Sequence, residues 1–246
     1  VMTQFILDRV KREQNQDYFI GSTVVSTPMM SVLASHYNVD CKIGLTGFKW
    51  IAKMIEDYPS EKFLGGGEES FGFMVGDFVR DKDAVTAALL ACEVASTAIS
   101  NGESFFDQLL KAYKAYGLYQ EKLVSFVKKG KEGVFEIQQM MENLRKSPPE
   151  QIGGVRIKTI EDFKVGILHN CIESKKEIIT LPKSDVLIFT TEDGAKVAVR
   201  PSGTEPKIKF YFSVNSPLPK QSEYDDIRSV LIAKIDRMCG DLGLTA

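Results

Sequence analysis

Arg200, Ser202, Gly203 and Thr204 stand almost side by side in the run Arg-Pro-Ser-Gly-Thr-Glu-Pro, which ends at Pro206. An arginine offers a planar fork of donors that matches two phosphate oxygens at once. The two hydroxyls add donors, and the glycine lets the backbone turn so that N–H groups can face an anion. Pro201 and Pro206 restrict the chain on either side and reduce the ordering entropy lost on binding. The run predicts a site for a phosphorylated ligand.

Its flanks alternate with a period of two. Lys196, Ala198 and Arg200 share one face, with Val197 and Val199 on the other. Beyond the loop, Lys207, Lys209 and Tyr211 oppose Ile208, Phe210, Phe212 and Val214. This pattern predicts two half-buried strands. They would bring three cations, Lys209 among them, to one end of a sheet around the loop. Lysines on strands also discourage edge-to-edge pairing, so a solvated basic edge has the same composition.

A second cluster, Gly65-Gly-Gly-Glu-Glu-Ser-Phe-Gly-Phe73, combines glycines that allow close approach or positive φ with two carboxylates and a hydroxyl. Glu68 can accept hydrogen bonds from both hydroxyls of a vicinal diol, with Ser70 beside it. A glycine-rich turn with solvated glutamates would look alike. Adjacent residues usually point apart, which makes Glu68 and Glu69 poor partners for glycosidase chemistry. Thr46-Gly47-Phe-Lys49 reads as a strand-to-helix turn in which Thr46 would cap the helix. The helix N-terminus attracts anions, and Lys49 would add positive charge there. An N-cap followed by an exposed lysine has the same sequence and is the simpler reading of the motif standing alone. Arg80-Asp-Lys-Asp83 precedes another helix; Asp81 or Asp83 would cap it, and Lys82 could face a ligand.

The elements that hold these residues read as two units. The 246-residue chain is 43% hydrophobic, with a formal net charge of -2 and a mean hydropathy of -0.11, as in soluble globular proteins. Bulk charge points to neither nucleic acid nor anionic membrane as a partner. No apolar run is long enough to span a bilayer, and no stretch reads as a signal peptide. Cys41, Cys92, Cys171 and Cys239 are widely spaced, which predicts reduced structural thiols and a cytoplasmic protein. With only two histidines, a zinc site or a Ser-His-Asp triad is disfavoured, and no metal ligands are assigned.

From Val1 to about Asn15 the apolar spacing predicts a helix that begins without capping residues, as though the chain had been cut from something longer. Strands at Tyr18–Ser26, Val39–Leu45 and Lys62–Gly65 alternate with helices at Pro28–Tyr37 and Gly47–Tyr58, the pattern of a Rossmann-like α/β three-layer domain. Asp83–Ser100, Ser104–Tyr116 and Lys131–Lys146 add helices, the first apolar nearly all round and therefore expected to be buried. Lys146-Ser-Pro-Pro-Glu150 then breaks the pattern, because paired prolines favour an extended spacer. Domains are thus expected at 1–147 and 153–246, the second a small α+β unit with an antiparallel sheet and a terminal helix near Gln221–Met238.

Taken in order, Thr46-Gly-Phe-Lys49, Gly67-Glu-Glu-Ser-Phe-Gly72, Arg80-Asp-Lys-Asp83 and Arg200-Pro-Ser-Gly-Thr-Glu-Pro206 resemble the signatures of the α-D-phosphohexomutases, the phosphoglucomutases and phosphomannomutases. The resemblance runs along nearly the whole chain. It implies transfer of a phosphoryl group between the 1- and 6-positions of a hexose phosphate, through a bisphosphate such as glucose 1,6-bisphosphate. A phosphoserine and a Mg²⁺ loop would do so in the parent enzyme. Glu68 and Ser70 would read the sugar. Thr46, Gly47 and Lys49 would contact the ligand, and Lys82 would assist proton transfer. Arg200, Ser202, Gly203, Thr204 and Lys209 would grip the phosphate that is not reacting. Catalysis of this kind is mainly positioning and charge stabilisation.

Nothing in the chain resembles the serine loop or the Asp-x-Asp-x-Asp metal loop. The resemblance therefore implies the third and fourth domains alone, with the N-terminal domains of the same enzyme as partners and no turnover by this chain by itself. Phe71-Gly72-Phe73 is similar to the form found in glucose-preferring members. Glu68 would read the 3- and 4-hydroxyls, which glucose and mannose share. Phosphomannomutase, phosphopentomutase and a non-catalytic phosphosugar-binding module stay open beside phosphoglucomutase.

Overall fold

Alternating β-branched strands and amphipathic helices set the first half of the chain. The computed structural model describes every residue except Arg12, Lys129, Thr204, Thr245 and Ala246, and for Lys131 the backbone only. Two compact units emerge, Val1–Leu118 with Pro217–Tyr224, and Tyr119–Ser216 with Asp225 to the C-terminus.

In the first unit, helix α1 (Met2–Arg9) leads into β1 (Tyr18–Thr23), α2 (Met29–His36), β2 (Asp40–Gly44), α3 (Phe48–Asp57), β3 (Lys62–Glu68) and β4 (Gly72–Val75). The sheet order is β2-β1-β3-β4. β1 pairs in parallel with both β2 and β3, while β4 returns antiparallel along β3. From β1 the chain moves outward to β2 and then crosses back to β3. The connections therefore leave β1 and β3 in opposite directions, and the crevice at the carboxyl ends of those strands is where open α/β sheets bind ligands.

α3 buries Phe48, Ile51, Met54 and Ile55, one stripe at helical spacing. That stripe packs with Phe19, Phe63 and Met74 into a core cluster against the sheet. The glycines of the 65–67 run lie within β3, not in a turn, and none has positive φ. Gly66 passes so close to β1 that a Cβ there would sit 2.6 Å from the Gly21 carbonyl oxygen. These glycines answer to strand packing, where approach to a ligand or a positive φ was expected.

Helices α4 (Ala84–Ser100) and α5 (Phe105–Tyr116) follow in the same unit. α4 packs on β4 and α5. Only Leu90, Val94 and Ala98 of α4 are buried, so the expectation of a helix buried all round is corrected. Val85, Leu89 and Ile99 point to solvent at 78%, 66% and 72% exposure. Apolar composition makes a helix buriable, and only the stripe that meets a partner is buried.

The second unit holds β5 (Leu118–Val127, whose first residue closes the other unit), α6 (Gly130–Lys146), β6 (Gln151–Ile152), β7 (Val155–Asp162), β8 (Ile167–Asn170), β9 (Lys175–Ile178), β10 (Leu187–Thr191), β11 (Lys196–Pro201), β12 (Lys207–Ser216) and α7 (Tyr224–Asp241, whose first residue belongs to the other unit). The sheet runs β5-β12-β11-β10-β7-β8-β9, with β6 pairing to β7. β7 to β12 meet their described neighbours antiparallel. Val197, Val199, Ile208, Phe210, Phe212 and Val214 are buried as their alternation predicts.

The boundary differs from the one expected at 147–153. The Pro148-Pro149 pair does end α6, yet α6 packs on β11 and β12. Arg145 near its end donates to Asp162 at 3.0 Å and to Asp185 at 2.5 Å. A proline pair marks the end of an element; domain membership is decided by what the element's apolar side covers.

Candidate functional site

Three of the predicted motifs converge in the first unit. The β2–α3 turn places Gly47 at the N-cap of α3 with φ 109°, and no side chain caps the helix. Thr46, expected to be that cap, is half-buried and does not serve as one. The backbone N–H of Gly47 donates to Glu68 Oε2 at 2.9 Å. This bond joins the 46–49 turn to the end of β3. A carboxylate has acceptor capacity for further donors.

The buried ring of Phe48 backs the same corner. Gly72, the first residue of β4, lies directly against it. Lys82 Nζ stands 5.9 Å from its centroid. Lys82 is exposed and also sits 3.1 Å from Asp81 Oδ1. The Asp81 carboxyl is held below its ordinary value, first by the N–H of Lys82 and then by the ammonium. Asp83 is the cap of α4, accepting from the N–H groups of Val85 and Thr86 and from the Thr86 hydroxyl at 2.7 Å. That hydroxyl is the main reason its pKa is lowered. Lys49 is exposed, its Nζ 5.3 Å from the Trp50 ring.

Between β3 and β4 the chain forms a hairpin tip. Glu69 Oε2 accepts from Ser26 Oγ at 2.9 Å, and Glu69 Oε1 accepts from Ser70 Oγ at 3.2 Å. Ser26 follows β1, is itself buried, and lies 2.8 Å from Thr23 Oγ1. Glu68 and Glu69 thus face different partners, as neighbours along a strand must. Ser26 and Phe48 were not singled out from the sequence. The signal available for Ser26 was a hydroxyl just beyond the carboxyl end of the strand at the crossover.

The phosphate-type loop belongs to the second unit. β11 and β12 place Arg200 directly across from Lys209. Like charges in that position repel and weaken a sheet. Neither residue pairs with a carboxylate among the described residues. Ser202 N–H donates to the Lys207 carbonyl at 2.7 Å, and Lys128 N–H donates to the Pro206 carbonyl at 2.9 Å. The Ser202 amide therefore closes the hairpin. Gly203 does not take positive φ, and a Cβ on it would meet nothing within 4 Å. Lys209 Nζ lies 6.0 Å from the Tyr211 ring. Thr204 lies outside the described residues.

Comparison with known proteins bears on both units. The model of the phosphoglucomutase/phosphomannomutase α/β/α domain III matches residues 1–116, and that of the C-terminal domain matches residues 136–217. The chain belongs to the phosphoglucomutase/phosphomannomutase family, the α-D-phosphohexomutases. A phosphoglucomutase of Staphylococcus aureus (strain MRSA252) is 36% identical over 214 residues, covering 87% of this chain and 38% of the relative. One from Staphylococcus haemolyticus (strain JCSC1435) is 37% identical over 194 residues, or 78% and 35%.

The chain thus spans little more than a third of the length of these curated relatives. Among solved structures, the Paramecium phosphoglucomutase pp63/parafusin in its open form superposes with a TM-score of 0.62 at 12% identity, over 96% of this chain and 41% of that one. A phosphomannomutase structure from Thermus thermophilus gives 0.55 at 17%, over 97% and 40%. Both show the fold.

The family implies magnesium, and Mg²⁺ favours octahedral oxygen ligands. Among the described residues no three acids, histidines or cysteines converge, and Glu68 and Glu69 turn toward Gly47 and Ser26. These residues do not fit the ion, and no step is derived through it.

Proposed function

We propose that this chain supplies the sugar-reading and phosphate-gripping part of a phosphoglucomutase that interconverts glucose 1-phosphate and glucose 6-phosphate through a bisphosphate. The observation that carries this reading is the Arg200–Lys209 pair. Two cations face each other across antiparallel strands with no carboxylate paired to either among the described residues. An arrangement that costs stability in the free chain is relieved by a bound dianion. Glu68, tied to Gly47, offers acceptors for sugar hydroxyls, with Ser70 next to it. Thr46 and Lys49 flank that corner. Lys82 stands over the Phe48 ring, where its ammonium can offset charge or move a proton. Gly203 leaves open space beside the loop, and Ser202 and Thr204 add hydroxyl donors.

In this reading the phosphoryl donor and the metal come from the N-terminal domains of the parent enzyme, so the isolated chain binds without turning over. Calorimetric titration with glucose 1,6-bisphosphate tests it. Saturable binding is expected, weakened at least tenfold by Arg200→Ala, with no isomerisation of glucose 1-phosphate. Failure of the unaltered chain to bind the bisphosphate, or turnover by it, would overturn the proposal.

A further inference from the structure

The hydrogen bonds at the tip of the β3–β4 hairpin form a directed chain. Ser26 Oγ donates to Glu69 Oε2, so the 2.8 Å contact between Ser26 and Thr23 Oγ1 has Thr23 as donor. Ser70 Oγ donates to the other carboxylate oxygen, Glu69 Oε1. Thr23 and Ser26 are buried, at 2% and 5% exposure, at the carboxyl end of β1. Glu69 and Ser70 are exposed beyond the end of β3. The run thus leads from buried hydroxyls at the carboxyl end of β1 to the exposed tip of the β3–β4 hairpin.

We infer that Glu69 is a positioning residue that anchors the hairpin tip to β1 and sets the polarity of Ser70. With its proton committed to Glu69, the Ser70 oxygen presents lone pairs outward. It then accepts from a ligand hydroxyl and does not donate to one. Glu68 is an acceptor as well, so the tip selects a ligand edge made of donors, which is the character of a sugar's free hydroxyls. This inference rests on the phosphosugar reading above and deepens it. Glu69 does so without touching the sugar, and Ser26 acts one bond further back.

The test measures affinity for glucose 1,6-bisphosphate and, separately, for inorganic phosphate. It uses the whole chain and the variants Ser26→Ala, Glu69→Ala, Glu69→Gln and the Ser26→Ala/Glu69→Ala double. Losing one such bond corresponds to roughly a two- to tenfold weakening. Ser26→Ala and Glu69→Ala are each expected to weaken bisphosphate binding by about three- to tenfold. The double variant should lose no more than the worse single, because both act through one chain of bonds. Glu69→Gln should not restore affinity, since an amide bonded to Ser26 through its oxygen turns an N–H toward Ser70. Inorganic phosphate, which reads the Arg200 loop, should bind all variants alike.

Amide hydrogen exchange at residues 68–72 should rise together in Ser26→Ala and Glu69→Ala without ligand. Bisphosphate binding by Ser26→Ala that matches the unaltered chain, or additive losses in the double variant, would overturn the positioning role alone. No bisphosphate binding by the unaltered chain would overturn the functional reading and the sugar-facing role with it.

Discussion

Gly72 rests against the ring of Phe48 so closely that a Cβ at residue 72 would stand 2.1 Å from Cε2. Phe48 is 4% exposed and locked into the cluster with Ile51, Met54 and Phe63. It cannot yield as a surface side chain would. Overpacking of this kind costs about 1–3 kcal/mol. Gly72→Ala should therefore lower the melting temperature, and calorimetry should show weaker bisphosphate binding as β4 shifts and carries the hairpin tip with it. A fully stable Gly72→Ala chain with unchanged affinity would mean that the ring does not set the loop.

Lys209 faces Arg200 across the strands, and a cross-strand like-charge pair costs about 0.2–1 kcal/mol. Lys209→Gln should stabilise the ligand-free chain by an amount in that range while weakening its binding of inorganic phosphate. Melting curves with and without phosphate separate the two effects. Loss of stability in phosphate-free buffer would count against stored repulsion.

Glu161 on β7 faces Ile188 and Leu168 on its two neighbouring strands. Burial raises its pKa, and Lys196 nearby offsets part of the shift. An acid whose folded pKa is raised binds its proton more tightly in the native state, so the native state loses stability as pH rises from about 4.3, the ordinary glutamate value, through the folded pKa. Glu161→Gln should be more stable than the unaltered chain at neutral pH, and the gap should close below about pH 4. Urea melts at several pH values show this directly, and a gap that widens in acid would have the wrong sign.

The placement of α6 gives a truncation test. Ile137 and Met141 of this helix are 5% and 1% exposed, and Arg145 ties its end to Asp162 and Asp185. Residues 119–246 should fold cooperatively. Residues 153–246, cut at the proline pair, should not, because the sheet loses both β5 and the helix that covers β11 and β12. Circular dichroism melts of the two truncated chains decide between the boundaries.

Much of this architecture was legible in the sequence, for local reasons. Alternation marked β11 and β12 and the cations at their ends, and helical spacing marked α2 and α3. β4 went unread because a four-residue strand carries almost no periodic signal. β5 was missed because its exposure does not alternate, with the consecutive Glu121, Lys122 and Leu123 all exposed. The burial of α4 was overread because composition does not say which side meets a partner. In the site, Glu68 and the 46–49 turn were legible as motifs. The Ser26–Glu69 bond spans 43 positions, and contacts of that kind exist only once the strands have paired.

The first unit is not continuous along the chain. Tyr224 stacks on Tyr113 at 6.2 Å and 13°, and meets Phe106 edge-on at 5.5 Å. These partners are separated in sequence by the whole of Tyr119–Ser216, which forms most of the other unit. During synthesis, domains generally fold as units beginning from the N-terminus. Here the unit that starts first receives its last piece after the body of the second has already emerged. The nascent first unit therefore waits with its Tyr113 and Phe106 surface uncovered until synthesis has passed Tyr224.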